Sequence, residues 1–198
     1  MLMSCGPWKP VYLQTFYTRI AELRFEASVA AGLGSATISA TVEVAGAGAG
    51  NEEVVFVLTA PDCERIETVR AEAKGGRAEA EFHVARPELW YPHGYGAQPL
   101  YTLTAVLASG SDSASKRLGL RRARLVQQPL AGTDGLSFFF KLNNVPLWIG
   151  GSNWIPADSF VTRLGAEQYR RWLQLAKRGR QTMVRYAGAD GLCWGNAC

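Results

Sequence analysis

Thr37-Ile38-Ser39-Ala40-Thr41-Val42-Glu43-Val44 puts an apolar side chain at every even position and a hydroxyl or a carboxylate at every odd one. Successive side chains of a strand point to opposite faces, so this stretch predicts a strand with one face in a core and the other in water. The same signal lies upstream in Leu23, Phe25, Ala27 and Val29, which alternate with Arg24, Glu26 and Ser28. It returns in Ala78, Ala80, Phe82 and Val84, and again in Tyr101, Leu103, Ala105 and Leu107. Val54-Val55-Phe56-Val57-Leu58 reads as a strand buried more fully. Turn-forming stretches separate these runs: Gly46-Ala47-Gly48-Ala49-Gly50-Asn51, Lys74-Gly75-Gly76 and Ser109-Gly110-Ser111-Asp112-Ser113. Short strands at such spacing predict an antiparallel sandwich of the immunoglobulin type, with about seven strands, over residues 21–128.

The period changes after Gly165. Tyr169, Trp172, Leu173 and Ala176 stand at helical spacing, with Arg170, Arg171, Gln174, Lys177 and Arg178 around the other side, and Gly179 is placed to end the helix. Val145-Pro146-Leu147-Trp148-Ile149-Gly150 before it and Thr182-Met183-Val184-Arg185-Tyr186 after it are short and apolar. Strand, helix, strand is a βαβ unit, whose strands must be parallel, so the last third belongs to a different architecture. Phe138 to Leu142 and Val145 to Ile149, turning at Asn143-Asn144, predict a hairpin or strand pair near the boundary. Residues 1–20, with the proline-rich Gly6-Pro7-Trp8-Lys9-Pro10-Val11-Tyr12-Leu13, read as the tail of something upstream.

A chain of 198 residues, 47% hydrophobic and 19% charged, is long enough to bury a core and is neither fibrous nor wholly disordered in composition. No run of 18 apolar residues occurs, and the first residues lack a basic stretch followed by an apolar one, so no membrane span and no secretory signal is read here. Cys5, Cys63, Cys193 and Cys198 form no C-x-x-C pair and are expected to be free thiols. The absence of an Asn-x-Ser/Thr acceptor favours a cytoplasmic chain. The net charge of +4 collects in Lys116, Arg117, Arg121, Arg122 and Arg124, and in Arg170, Arg171, Lys177 and Arg178. Neither cluster is interleaved with aromatics that would stack bases, so both are expected to be solvated faces, with no nucleic-acid partner.

There is no G-x-S-x-G, P-loop, H-E-x-x-H or strand-borne G-x-G-x-x-G. His83 sits among the outward residues of a strand and His93 in a turn-rich loop, so a triad and a histidine metal site are both unexpected. Gly150-Gly151-Ser152-Asn153-Trp154-Ile155-Pro156-Ala157-Asp158 stands out. It follows a predicted strand and precedes a helix, which in a (β/α)8 barrel is the face that carries the active site. Asn153, Trp154 and Asp158 offer an amide, an indole and a carboxylate that can hydrogen-bond hydroxyls and stack on a pyranose. Equally, Trp154 can fill the gap between two domains and Asp158 can start the turn into the helix.

Trp90-Tyr91-Pro92-His93-Gly94-Tyr95-Gly96-Ala97-Gln98-Pro99-Leu100-Tyr101, then Phe138-Phe139-Phe140-Lys141-Leu142-Asn143-Asn144-Val145-Pro146, then Gly151-Ser152-Asn153-Trp154-Ile155-Pro156-Ala157-Asp158-Ser159-Phe160, closely resembles the β-mannosidases of glycoside hydrolase family 2. Gly6 to Leu13 resembles the end of their N-terminal sugar-binding-type sandwich. The resemblance runs from about Gly6 to Arg185 and keeps the family's order of motifs. It implies a mainly β chain: an immunoglobulin-like β-sandwich followed by the first βαβ part of an incomplete (β/α)8 barrel over residues 129–186. It also implies a retaining exo-glycosidase acting on β-mannosides or oligosaccharides without a cofactor or metal, with Asn153, Trp154 and Asp158 as substrate-binding candidates.

In such enzymes two glutamates on later barrel strands serve as acid/base and nucleophile, roughly 5 Å apart. Past Gly150 this chain runs only to Cys198, whereas a whole barrel takes roughly 250 residues. Glu167, the one glutamate in that remainder, opens the helix and is on the wrong element to be either catalyst. No catalytic residue is therefore expected here, and the chain reads as a piece of a longer enzyme. Residues 187–198 depart from the family's pattern as an atypical tail, and Leu120 stands where the family tends to have phenylalanine. The alternatives are a non-catalytic carbohydrate-binding module and a purely structural domain pair.

Overall fold

A computed structural model of the chain describes residues 6, 7, 9–155, 157, 158 and 160–186. Residues 18–118 form β1 (Thr18–Val29), β2 (Ser35–Gly46), β3 (Glu53–Thr59), β4 (Arg65–Glu72), β5 (Arg77–Ala85), β6 (Tyr101–Leu107) and β7 (Ser113–Leu118). They pair antiparallel into two sheets, β1-β2-β5 and β4-β3-β6-β7. Their inner faces supply one core, in which Phe56, Phe82, Ile38, Leu58 and Leu103 are wholly buried. Each such side chain contributes roughly 1.5–3 kcal/mol by leaving water.

Two features of this sandwich escape the alternation rule. The first strand begins at Thr18, ahead of the predicted start, and a bulge between Ile20 and Glu22 lets both Ile20 and Leu23 face inward. The backbone N–H of Ile20 is taken up by the Asp112 carboxylate at 2.9 Å. The fourth strand was not predicted. It carries Arg65, Glu67, Arg70 and Glu72 and lies at a sheet edge, where charge discourages pairing with another chain. The β3 segment is less enclosed than expected, since Val55 and Val57 are only half-buried.

Tyr101 opens β6 with 2% of its surface exposed, and its hydroxyl accepts the backbone N–H of Glu88 at 2.8 Å. This bond ties the start of β6 back to the chain thirteen residues upstream. Burial pushes the phenol up from its ordinary pKa, against the Glu88 hydrogen bond, which acts the other way.

A smaller antiparallel sheet follows: β8 (Ala123–Val126), β9 (Phe139–Leu142) and β10 (Val145–Leu147), in the order β10-β9-β8. Asn143 and Asn144 form the predicted turn, with φ of 47° and 66°. Asparagine tolerates this left-handed backbone because its short amide bonds locally. Asn143 is buried; its Oδ1 accepts the Arg122 N–H at 2.9 Å, and its Nδ2 donates to the Trp90 carbonyl at 3.0 Å. Asn144 donates to the Ala31 carbonyl at 2.8 Å.

The chain divides into two compact units. One comprises Thr15–Tyr91 and Gly96–Leu147; the other comprises Met1–Gln14, Pro92–Tyr95 and Trp148–Cys198. The second unit holds β11 (Gly151–Trp154), a 3₁₀ turn at Val161–Arg163, α1 (Ala166–Arg178) and β12 (Met183–Tyr186). The pairing of β11 with β12 is parallel, as a βαβ unit requires. Its first strand is not Val145–Ile149, which sequence pattern favoured. Pro146 has no N–H to give and stays in the hairpin, whereas Gly151 sits so close to the Met183 carbonyl that any Cβ would collide with it.

Candidate functional site

The predicted site residues lie on and after β11, so what was expected to be a loop is in part the strand itself. Thr182 fixes the strand's start: its N–H donates to the Gly150 carbonyl at 2.8 Å, and its hydroxyl lies 3.2 Å from the Gly150 N–H. Ser152 donates its hydroxyl to Gln181 Oε1 at 2.7 Å. Before the strand, Tyr95 receives the Trp148 N–H on its hydroxyl at 3.2 Å.

Asn153 is exposed and stands opposite Arg185 in the parallel register, with Arg185 Nη1 donating to its Oδ1 at 3.5 Å. Trp154, the next residue, is half-buried and stacks on Tyr169 of α1, ring centres 6.1 Å apart and planes 24° from parallel. Neighbours in a strand face opposite ways, so these two side chains are not presented to one ligand from one face of the strand. Asp158 is committed within the chain: Oδ1 accepts the Phe160 N–H at 2.8 Å, and Oδ2 pairs with Arg163 Nε at 3.1 Å. Arg163 in turn lies over the Phe160 ring at 5.7 Å. Asp158 thus organises the turn into the helix.

Glu167 lies in the first turn of α1 and pairs with Arg170. Between Gly150 and Tyr186 the chain has no other carboxylates than Asp158 and Glu167, and each is held by an arginine. Among the described residues no group of three or more His, Cys, Asp or Glu could hold a metal ion. Nor is any helix among them long and apolar enough to cross a membrane. His83 is on the surface beside Glu81 at 3.1 Å, Cys63 is an exposed free thiol, and Cys5, Cys193 and Cys198 lie outside the described residues. Sequence reasoning missed Tyr95, Arg163, Tyr169 and Arg185, the partners that fix this stretch. Arg185 and Tyr169 carried no local signal, because the parallel register and the crossover bring them in from far along the chain.

Comparison with known proteins places the chain among the glycosyl hydrolases. The family model described as "Glycosyl hydrolases family 2" matches residues 18–121, the sandwich from β1 through β7. The chain belongs to that family. It is 42% identical over 192 residues to Beta-mannosidase B of Thermothelomyces thermophilus, which covers 94% of this chain and 22% of that protein. Beta-mannosidase B of Aspergillus fumigatus is 37% identical over 191 residues, covering 95% and 22%. Among solved structures, Beta-D-Mannosidase from Dictyoglomus thermophilum superposes with a TM-score of 0.71 at 31% identity, covering 85% of this chain and 21% of that one. Bacteroides uniformis beta-glucuronidase 3 shares the fold, with a TM-score of 0.71 at 20% identity over 87% of this chain and 20% of its own. The chain therefore spans about a fifth of the length of the relatives it matches.

Proposed function

We propose that these residues are the sandwich and opening βαβ portion of a retaining β-mannosidase-type hydrolase, which removes terminal β-linked mannose. The observation that supports this reading is the 42% identity to a Beta-mannosidase B over 94% of the chain, a likeness that continues beyond the matched sandwich. On this reading 1–20 close an upstream sandwich, 21–128 are the immunoglobulin-like domain, 129–186 start a (β/α)8 barrel, and 187–198 are an atypical tail. The two catalytic glutamates lie on later strands of the barrel, outside these residues, so the chain alone does not hydrolyse glycosides. Asn153, Trp154 and Asp158 lie at the start of the sugar pocket, and because Asn153 and Trp154 point to opposite faces of β11, only one of the two meets the sugar directly. Asp158 acts there by shaping the loop, since Arg163 and the Phe160 N–H occupy its oxygens.

The test is hydrolysis of a chromogenic β-mannoside by the 198-residue chain beside a version extended with the remainder of a β-mannosidase barrel. Turnover in the extended version alone is the expected result. Turnover by the short chain would place the catalytic groups among residues assigned here to structure. In the extended version Trp154→Ala should lower kcat/KM at least about tenfold, the loss of one aromatic contact. Unchanged kinetics there would remove Trp154 from the pocket and favour the alternative, in which this stretch is packing alone.

A further inference from the structure

In the β8-β9-β10 sheet, Arg124 and Lys141 are direct cross-strand partners, followed on the third strand by Pro146. Two residues along, Val126 stands opposite Phe139, so Arg124, Lys141, Val126 and Phe139 share one face. Lys141 Nζ lies 5.9 Å from the centre of the Phe139 ring. Like charges placed directly opposite each other on neighbouring strands are destabilising. Among the described residues neither cation has an ion-pair partner, although Arg24, Arg70, Arg77, Arg163 and Arg170 all do. The nearby cations are occupied: Arg121 lies over Trp90 at 4.9 Å, and Arg122 donates to Asn144 Oδ1 at 3.2 Å.

The sheet is unfinished in its apolar residues as well. On the face of the two cations Val126 and Phe139 are both only half-buried, so apolar surface stays in water beside the charges. Aromatic and arginine side chains beside apolar ones are the composition of an interface centre, whereas a solvated strand face is dominated by mixed, mutually paired charge. We propose that the Arg124, Lys141 and Phe139 face is a docking surface for an acidic peptide segment. Such a segment brings carboxylates to the two cations, relieving their repulsion, and sets an apolar side chain against Phe139. Two opposed cations on a short sheet form no track along which a nucleic-acid backbone could run, and charge complementarity selects a polypeptide carboxylate as the occupant. The inference is independent of the catalytic reading.

The probe is a fluorescent peptide of about a dozen residues, rich in Asp and Glu with leucine and phenylalanine between them, titrated against the 198-residue chain by anisotropy. Saturable binding is expected, weakened roughly fivefold to tenfold in the Arg124→Ser/Lys141→Ser double variant. Salt at about 0.3 M should weaken it too, since screening shortens the reach of the charges below ~10 Å. Arg117→Ser, at an exposed cation of β7, should leave it unchanged. Failure to bind, equal binding of the peptide's Asn/Gln counterpart, or equal binding of single-stranded DNA would each overturn the proposal. A melting curve supplies a second readout. Arg124→Gln should raise Tm by about 1–4 °C, because only repulsion is lost. A fall in Tm would show that Arg124 is held by a stabilising contact, and the argument from unrelieved charge would fail.

Discussion

In the sandwich, Phe56, Phe82, Ile38 and Leu103 are wholly removed from water, whereas in α1 Trp172, Leu173 and Leu175 each keep close to half of their surface exposed. No residue of α1 is buried. Both regions follow the apolar period of their secondary structure, so the difference is not one of patterning. A two-sheet sandwich closes its own core, while a single βαβ unit covers only one side of each element and leaves the rest for neighbours. Foldedness of the chain therefore rests on residues 15–147, and the unit that carries the site candidates adds little to it.

The largest expected effect breaks or confirms that asymmetry directly. Phe56→Ala should lower unfolding stability by about 3–5 kcal/mol in urea titration, the usual loss for a wholly buried aromatic. Leu173→Ala should lower it by less than about 1 kcal/mol, as for other half-exposed positions. Comparable losses from the two would mean that α1 is as deeply involved in the fold as β3.

Asn143 comes next, because it ties the hairpin to the sandwich through a side chain with 2% exposure. Asn143→Ala strands the Arg122 N–H and the Trp90 carbonyl and also forces a β-carbon with no amide into φ of 47°, for a loss of about 2–4 kcal/mol. Asn143→Gly relieves the backbone strain and keeps the hydrogen-bond loss, so the difference between the two variants separates the causes. If both are neutral, the hairpin does not belong energetically to the sandwich.

These contrasts also mark what could be read from the residues alone. Period-2 runs gave away β1, β2, β5 and β6, since burial on one face forces alternation, and the continuous apolar run Val54 to Leu58 marked β3. The edge strand β4 was hidden because only Val69 and Ala71 of it pack against the core, too few apolar positions to show a period. At β11, Gly151-Ser152-Asn153 carries no strand pattern at all; its extended state is imposed by pairing with β12. For the same reason the site was legible only as residue types. Asn153, Trp154 and Asp158 could be named, but not that Asp158 is held by Arg163 and that Trp154 lies against Tyr169.

The phenol of Tyr101 gives the comparison a pH axis. Burial raises its folded pKa above the unfolded value, so its contribution to stability is complete below about pH 10, the ordinary tyrosine value, and is lost as pH climbs through the raised folded value. Tyr101→Phe should cost about 1 kcal/mol at neutral pH, the net worth of the hydrogen bond from Glu88, and should flatten the alkaline decline in Tm. An unchanged alkaline slope would assign that decline to other groups.

The smallest effect lies at the end of α1. Gly179 was the expected terminator, but its φ of −73° is open to any residue, and Arg180 instead holds the left-handed position with φ of 52°. The Arg180 N–H donates to the Lys177 carbonyl at 3.0 Å and the Gln181 N–H to the Ala176 carbonyl at 3.1 Å, the two bonds of a Schellman end. Arg180→Gly should therefore stabilise the helix end by about 0.5 kcal/mol, relief of the left-handed strain outweighing the added freedom of the unfolded chain. Gly179→Ala should be close to neutral. Hydrogen exchange at 175–181 is the suitable readout, with slower exchange in Arg180→Gly and no change in the Tm set by the sandwich. Were the global Tm to rise with it, the two regions would be sharing one cooperative transition, and the asymmetry drawn between them would have to be given up.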